Sequence, residues 1–152
     1  MAHQIEVLMK TYEIIDHTAD IGIKVYGRNL EELFLNAAKA MFEIMLEAAN
    51  KKPIFRKPEH KKFLLNKQGN NIEETFVFWL SELLYLFSTQ GLIMEKADIN
   101  RLDSSCIQAE VEGRIFNPKF CRIKTEIKAV TYHELEIKET PQGYEAQVIF
   151  DV

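Results

Sequence analysis

The segment FVFWLSELLYLF, residues 76–87, constrains the fold more than any other part of the chain. Its apolar residues recur at helical spacing, and an apolar stripe of this width is buried in a folded domain. The segment is far short of the roughly 20 apolar residues of a membrane span, and it contains Ser81 and Glu82. We therefore predict a helix that begins near Asn71 and packs deeply against a sheet. The stripe consists of Phe76, Trp79, Leu80, Leu83, Leu84 and Phe87.

A second amphipathic helix is predicted from Leu30 to about Met45, because apolar residues again recur at a period near 3.6. Asn29 stands at the N-cap position and Glu32 follows three residues later, which is the pattern of a helix start. Residues 50–58, with their lysines and prolines, interrupt the pattern and are typical of a solvated loop.

The other segments have the period-two alternation of half-buried strands, and residues 140–143, Thr-Pro-Gln-Gly, are typical of a hairpin turn. Strands between and after two helices predict an α+β domain, a two-layer sandwich with both helices on one face of a mainly antiparallel sheet. A single domain is expected over residues 1–152. The predicted strands are Tyr12–Ile15, 20–26, 62–66, 106–112, 122–130, 133–139 and 144–152.

Composition excludes several classes of protein. Hydrophobic residues make up 47% and charged residues 28% of the chain, as in ordinary globular domains. The net charge of −4 argues against a protein that grips a long nucleic acid by its phosphates, so no DNA partner is expected. Cys106 and Cys121 lack C-x-x-C spacing and predict free thiols in a reducing compartment. The N-terminus lacks the apolar run of a secretory signal, so we expect a cytoplasmic protein without a membrane partner.

Candidate ligands for a metal ion stand at the predicted strand ends. The chain has no phosphate-binding loop, dinucleotide-binding fingerprint, H-E-x-x-H motif or G-x-S-x-G motif. Asp20 begins one strand and Asp151 ends another, and Val152 adds the α-carboxylate of the chain end. Hard divalent cations prefer such oxygen ligands. The alternative interpretation is that Asp20 is a turn residue and Asp151 a frayed terminal acid.

Other polar residues have one functional and one ordinary interpretation each. Lys128 is either a solvated strand lysine or a point charge for a phosphate. His17 and His133 flank strands, where they either transfer protons or have only structural roles. Glu82 lies at the edge of the apolar stripe, where a solvated carboxylate is ordinary, and Asp16 is suited to capping its own turn.

Four motifs resemble those of the archease family: YEIIDHTADIGIKVYG at 12–27, WLSELLYLF at 79–87, IKAVTYHELEI at 127–137 and QVIFDV at 147–152. The resemblance implies an archease-like fold and an accessory protein of tRNA splicing. Such a protein assists an RtcB-type tRNA ligase, promoting its guanylylation and repeated turnover, and is no enzyme on its own. It would contact tRNA only indirectly or transiently. Residues 1–10, a leader, and the loop near 50–60 carry no family motif.

The resemblance also implies a site. Similar proteins bind a divalent ion, usually Ca²⁺ with Mg²⁺ or Mn²⁺ as alternatives, through positions that correspond to Asp20, Asp151 and Val152. Val152 replaces the Ile that is common at the last position, which leaves its main-chain oxygens unchanged. The candidates for the activation of the ligase are Lys128, Glu82 and His133. The residues expected to shape the turn before Asp20 are Asp16, His17 and Thr18.

Two rival functions use the same residues. The first is a stand-alone metal-dependent phosphoryl-transfer enzyme in which Asp20 and Asp151 bind the metal and His133 or Glu82 is the base. Turnover of a nucleotide or phosphoester by the isolated protein would favour it. The second is a chaperone-like module for an RNA-modifying enzyme, in which the acids form only a solvated patch. Partner binding would then be insensitive to chelators.

Overall fold

A computed structural model describes residues 10–15, 19–49 and 58–152. Within those ranges the chain forms nine strands and two helices. In chain order they are β1 (Tyr12–Ile15), β2 (Ile21–Gly27), α1 (Leu30–Met45), β3 (Leu46–Ala48), β4 (His60–Gln68), α2 (Ile72–Gln90), β5 (Leu92–Asp103), β6 (Cys106–Ile115), β7 (Cys121–Ile123), β8 (Ala129–Thr140) and β9 (Gly143–Asp151).

All of these strands pair antiparallel, in three sheets. The first sheet has the order β1-β2-β9-β8, the second pairs β3 with β7, and the third has the order β4-β6-β5. In the first sheet the C-terminal strand β9 lies between β2 and β8. Thr140 pairs with Gly143 at the start of that strand, which confirms the predicted hairpin turn.

Both helices start where predicted, and each has an Asn at its N-cap. The Asn29 side chain accepts a hydrogen bond from the Glu32 amide at 2.8 Å, and Asn71 accepts one from Glu74 at the same distance. Each bond satisfies one of the amides that the first turn of a helix leaves without a partner. Helix α2 ends at Gly91, whose φ of 72° is a left-handed conformation that costs little only for a residue without Cβ.

The core is built around the two helices. Helix α1 contacts β2 and β9 of the first sheet and β5 of the third, whereas α2 contacts β8 of the first sheet and all three strands of the third. Trp79 of α2 is fully buried and donates its indole N–H to the Phe34 carbonyl of α1 at 2.9 Å. The Phe34 and Phe76 rings meet edge to face with centroids 5.1 Å apart. These features confirm the predicted α+β class with two helices and antiparallel strands.

The predicted strand over 122–130 is wrong. Strand β7 ends at Ile123, residues 124–128 belong to no strand, and β8 begins at Ala129. The period-two alternation predicts one strand, but its apolar residues do not share one face. Ile127 is buried, whereas Ile123 is about half exposed at 48%. The amides of Lys124 and Thr125 both donate to the Met45 carbonyl at the end of α1, at 2.8 and 3.3 Å, and the chain bends at these two residues instead of continuing as a strand.

Other differences concern boundaries, among them β6, which runs to Ile115 and not 112. Strand β4 is longer than the predicted 62–66, and β8 includes residues on both sides of the predicted 133–139. The sequence pattern gave no bounds for β5, because register shifts after Met94 and after Ile99 interrupt its alternation. Residues 50–57 of the predicted loop lie outside the described residues.

Neither helix in the described ranges combines the length and apolar composition that crossing a membrane requires.

Substituting Trp79 tests how far the contact between the helices stabilises the fold. Trp79→Phe removes the indole donor and leaves a void, so we expect the free energy of unfolding to fall by about 2 kcal/mol or more. Tyr85→Phe is the matched control, because Tyr85 is an exposed aromatic residue on the same helix, and we expect a change within about 0.5 kcal/mol. Urea unfolding measures both. Equal stabilities of the two variants would contradict the importance of the buried bond.

Candidate functional site

Asp20 and Asp151, from opposite ends of the chain, lie at the same end of the β2–β9 pair. Asp20 immediately precedes Ile21, and Asp151 immediately follows Phe150, the registered partner of Ile21. Asp20 is a bend residue just before β2, so the two acids stand on either side of the strand end marked by the Ile21–Phe150 pair. They therefore lie at one end of the sheet, and their joint binding of a metal stays a prediction.

Lys128, the residue just before β8, also stands at this end of the sheet. Ala129 is registered opposite Asp151, so Lys128 lies beside Asp151 and Val152. The Lys128 amide donates to the Asp151 carbonyl at 2.7 Å, which fixes the backbone of the two segments together. The side chains of Lys128 and Asp151 are exposed, and Asp20 and Val152 are partly buried. We name these four residues, Asp20, Lys128, Asp151 and Val152, the strand-end cluster.

Buried packing next to the cluster holds these strands in place. Val148 and Phe150 of β9 are buried on the face that packs against the helices. On the opposite face Gly22 is essential for close packing, because a Cβ there would lie 2.7 Å from Cγ1 of Ile15. Ile15 and Gly22 form the last registered pair before the loop that leads to Asp20. Close packing of this pair therefore fixes both ends of the loop.

Between β1 and β2 only Ala19 and Asp20 are described. Asp16, His17 and Thr18 lie outside the described residues, so their turn-shaping role stays a prediction. Ala19 has a φ of 68°, in the left-handed region that residues with a Cβ adopt only rarely. This conformation turns the backbone immediately before Asp20 and so determines how that residue enters β2.

His133 lies on β8, which Lys128 immediately precedes, but on an irregular part of that strand. Thr131 pairs with Ile149 and Glu136 pairs with Gln147, so residues 132–135 lie opposite Val148 alone. Such a bulge directs side chains away from the regular sheet. The His133 side chain is exposed, with its Nε2 atom 3.8 Å from Oε1 of Glu134. It therefore lies beyond Thr131 from the strand-end cluster.

Glu82 is held against a different sheet. Its carboxylate pairs with Lys67 Nζ of β4 at 3.2 Å, and the Glu82 side chain is 25% exposed. Because β4 belongs to the third sheet, this contact directs Glu82 toward that sheet. Of the three candidates for activation, Lys128 lies in the strand-end cluster, His133 lies on the bulge of β8, and Glu82 pairs with Lys67.

Tyr132 was not selected from the sequence, although it is one of the few exposed large apolar side chains. It lies on the bulge next to His133, and α2 carries Glu74 close enough to affect its ionisation. Partial burial, followed by the charge of Glu74, raises the pKa of the Tyr132 phenol above its ordinary value. The regular alternation of β8 gave no signal for it, because only the bulge turns this side chain outward.

The donor atoms of the cluster suit a hard cation. In the described part of the chain no group of three or more His, Cys, Asp and Glu side chains is arranged to hold a metal ion. The cluster supplies two carboxylates, so a bound ion would also need main-chain oxygens, such as those of Val152, and water. Calcium accepts this mixture of ligands, and other hard divalent cations accept it less readily. The oxygen-only donor set therefore fits the predicted class of metal.

The sequence is similar to proteins of one family along nearly its whole length. Residues 12–152 match the Archease protein family (MTH1598/TM1083). A protein archease from Methanosarcina barkeri is 38% identical over 147 residues, which cover 94% of this chain and 97% of that protein. Another from Saccharolobus solfataricus is 37% identical over 145 residues, covering 95% of this chain and all of that protein.

Solved structures give the same result. The solution structure of Methanobacterium thermoautotrophicum protein 1598 superposes with a TM-score of 0.66 at 32% identity, covering 95% of this chain and 100% of that one. The crystal structure of an archease from Thermotoga maritima, described as a possible chaperone, has a TM-score of 0.60 at 24% identity. It covers 91% of this chain and 94% of that one, and it shows the shared fold alone.

The amide of Lys128 can be tested separately from its ammonium group. Lys128→Pro removes the donor to Asp151, so we expect a loss of about 1 kcal/mol in the free energy of unfolding and faster amide exchange at the end of β9. Lys128→Ala keeps the amide and should stay within about 0.5 kcal/mol of the natural chain.

Glu126→Pro is the matched control, since the Glu126 amide has no hydrogen-bond partner among the described residues. Chemical unfolding and hydrogen exchange measure these effects. If Lys128→Pro behaves like Glu126→Pro, the bond to Asp151 does not secure the chain end.

Proposed function

This chain belongs to the archease family, and on that premise we propose that it is an accessory protein of tRNA splicing that activates an RtcB-type RNA ligase in the cytoplasm. It promotes the metal-dependent guanylylation of the ligase and its repeated turnover, and it joins no RNA itself. The observation that carries the proposal is the meeting of Asp20, Asp151 and Lys128 at one sheet end. Each belongs to a motif in which the chain resembles that family.

The residues of the cluster have different roles in this proposal. The carboxylates of Asp20 and Asp151, with main-chain oxygen of Val152, would hold a divalent ion, most simply Ca²⁺. When bound, such an ion neutralises phosphate charge. The Lys128 ammonium has no ion-pair partner among the described residues, so its charge is available to a phosphate group of the partner's nucleotide. The fixed backbone bond to Asp151 keeps that charge beside the acids.

Exposure of the cluster favours an accessory protein over a stand-alone enzyme. Small-molecule active sites are usually concave and enclose most of their substrate. Asp151 and Lys128 are instead exposed at the end of a sheet, where the surface of a second protein can cover them. The two candidate bases are also poorly suited to a separate reaction, since Glu82 is paired with Lys67 and His133 lies on the bulge of β8. A partner would therefore supply the reacting groups.

Ligase activation is the direct test. An RtcB-type ligase is mixed with GTP, divalent metal and cleaved tRNA, with and without substoichiometric amounts of this protein. We expect faster guanylylation and several turnovers per ligase with the protein, and neither RNA joining nor nucleotide hydrolysis by the protein alone. Ligation or hydrolysis by the purified protein in the absence of the ligase would contradict the proposal and favour the enzyme alternative.

Lys128→Ala should reduce the guanylylation rate about tenfold, the size of one lost charge-assisted bond. Lys138→Ala is the matched control, because Lys138 is an exposed lysine elsewhere on β8 and pairs with Glu145 at 3.0 Å. Its rate should equal that of the natural protein. The same loss in both variants would show that only overall charge matters.

Metal binding is tested by calorimetric titration with Ca²⁺. Asp20→Asn and Asp151→Asn keep the shape of each side chain but remove its charge, so each should weaken binding about tenfold or more. Lys128→Ala should not weaken it, because a protonated amine is no ligand. Asp98→Asn, at an exposed acid of β5, is the control. Unchanged affinity in both cluster variants would exclude this site, and partner binding that persists with a chelator would favour the chaperone-like alternative.

A further inference from the structure

One sheet edge of this protein lacks the usual protection against pairing with another chain. An edge strand has unpaired amides and carbonyls, and proteins commonly protect it by making it short or bulged. In the described ranges β1, β3 and β7 have three or four residues each, β5 has two register shifts and β8 has its bulge. Strand β4 differs, because its nine residues pair with β6 without interruption. No other described strand pairs with its free side.

Leu64 stands at the centre of this open edge. Its side chain is 84% exposed, more than any other large hydrophobic side chain in the described ranges. The neighbouring Leu65 is buried in the core, so Leu64 lies on the outer face of the third sheet. A single exposed leucine is ordinary on a protein surface. Here, however, it marks the midpoint of the one long edge strand without a bulge among the described residues.

The lysines of β4 do not present free charges to an incoming strand. Lysines on an edge usually protect it, because their ammonium groups disfavour pairing with a second chain. Each of the three lysines on β4 instead lies 3.2 to 3.7 Å from a carboxylate of its own chain. The ion pairs are Lys61–Glu59, Lys62–Glu110, Lys62–Glu112 and Lys67–Glu82.

Strand β4 is complementary to a second copy of itself. A two-fold axis pairs the same edge of two copies antiparallel, and such a contact closes after two subunits. With the axis at Leu64, apolar residues meet apolar residues and polar residues meet polar residues. The one like-charged pair consists of lysines that carboxylates of their own chains already compensate. The opposed pairs are Leu64 with Leu64, Phe63 with Leu65, Lys62 with Asn66, Lys61 with Lys67 and His60 with Gln68.

We propose that this protein forms a symmetric dimer through β4, in which the third sheets of two copies join into one continuous antiparallel sheet. The contact shelters Leu64 from water and supplies partners for the open side of the strand. One strand per copy is a small interface beside the standard of about 1,600 Å², so the dimer dissociates readily on dilution. The strand-end cluster belongs to the first sheet and takes no part, so the dimer does not depend on ligase activation.

Sedimentation equilibrium of the full chain over a range of concentrations measures the dimer. We expect the dimer fraction to rise with concentration. Leu64→Lys places two ammonium groups opposite each other at the axis and should weaken dimerisation about tenfold or more. Ile14→Lys is the matched control, because Ile14 is 63% exposed on the short edge strand β1, and it should dimerise like the natural chain.

Circular dichroism checks that both variants fold. A monomer at every concentration, or unchanged dimerisation of Leu64→Lys, overturns the inference.

Cysteine cross-linking tests the register. Directly opposed residues of an antiparallel pair have Cα atoms about 5 Å apart, which is within the range of a disulfide. Under mild oxidation by copper phenanthroline, Leu64→Cys should therefore form a disulfide with its copy. Lys62→Cys is the control and should not, because its two copies would lie roughly 14 Å apart. The natural cysteines are both buried. Equal cross-linking of the two variants would overturn the proposed pairing.

Discussion

Trp79 and Phe34 form the contact on which the rest of the structure depends. The indole N–H of one helix donates to a main-chain carbonyl of the other inside a core that excludes water. A buried hydrogen bond of this kind fixes the relative position of the helices more narrowly than apolar packing alone. Because both larger sheets contact these helices, the same bond indirectly sets the position of one sheet relative to the other.

The strand-end cluster follows from the central position of β9. This strand lies between β2 and β8, and its residues Val148 and Phe150 are buried against the helices. The backbone of its last residues is therefore held in position by two neighbouring strands at the point where the chain leaves the core. Asp20 and Lys128 stand at the ends of those neighbours. Charged groups are costly inside the core, and here they stand one residue beyond it, where solvent and a partner can reach them.

Two surfaces of different chemistry adjoin through one segment. Residues 123–127 line an apolar groove beside the C-terminal end of α2. The next residue, Lys128, belongs to the strand-end cluster. A partner that covers both surfaces would gain apolar burial from the groove and charge interactions from the cluster. Apolar burial supplies most of the affinity at protein interfaces, whereas charged groups contribute more to orientation and selectivity.

The sequence by itself determined the local features of this protein. Both helices, the Asn29 cap, the start of the second helix near Asn71 and the hairpin turn at 140–143 are predicted, because each depends on residues that are close in the chain. The residues Asp20, Asp151 and Lys128 were also selected as candidates, although periodicity alone left their ordinary roles open. Their assignment came from motifs, not from burial patterns.

Only the tertiary structure decided which strand ends meet and which side chains face outward. The alternation over 122–130 predicts one strand, yet the amides of Lys124 and Thr125 both bond to the end of α1 and the chain bends there. The bulge that exposes His133 and the pairing of Glu82 with Lys67 likewise depend on distant parts of the chain. Sequence periodicity predicts how much each residue is buried, but not which other segment of the chain covers it. Strand register and the open groove are properties of pairs of segments, and so they exist only once the chain has folded.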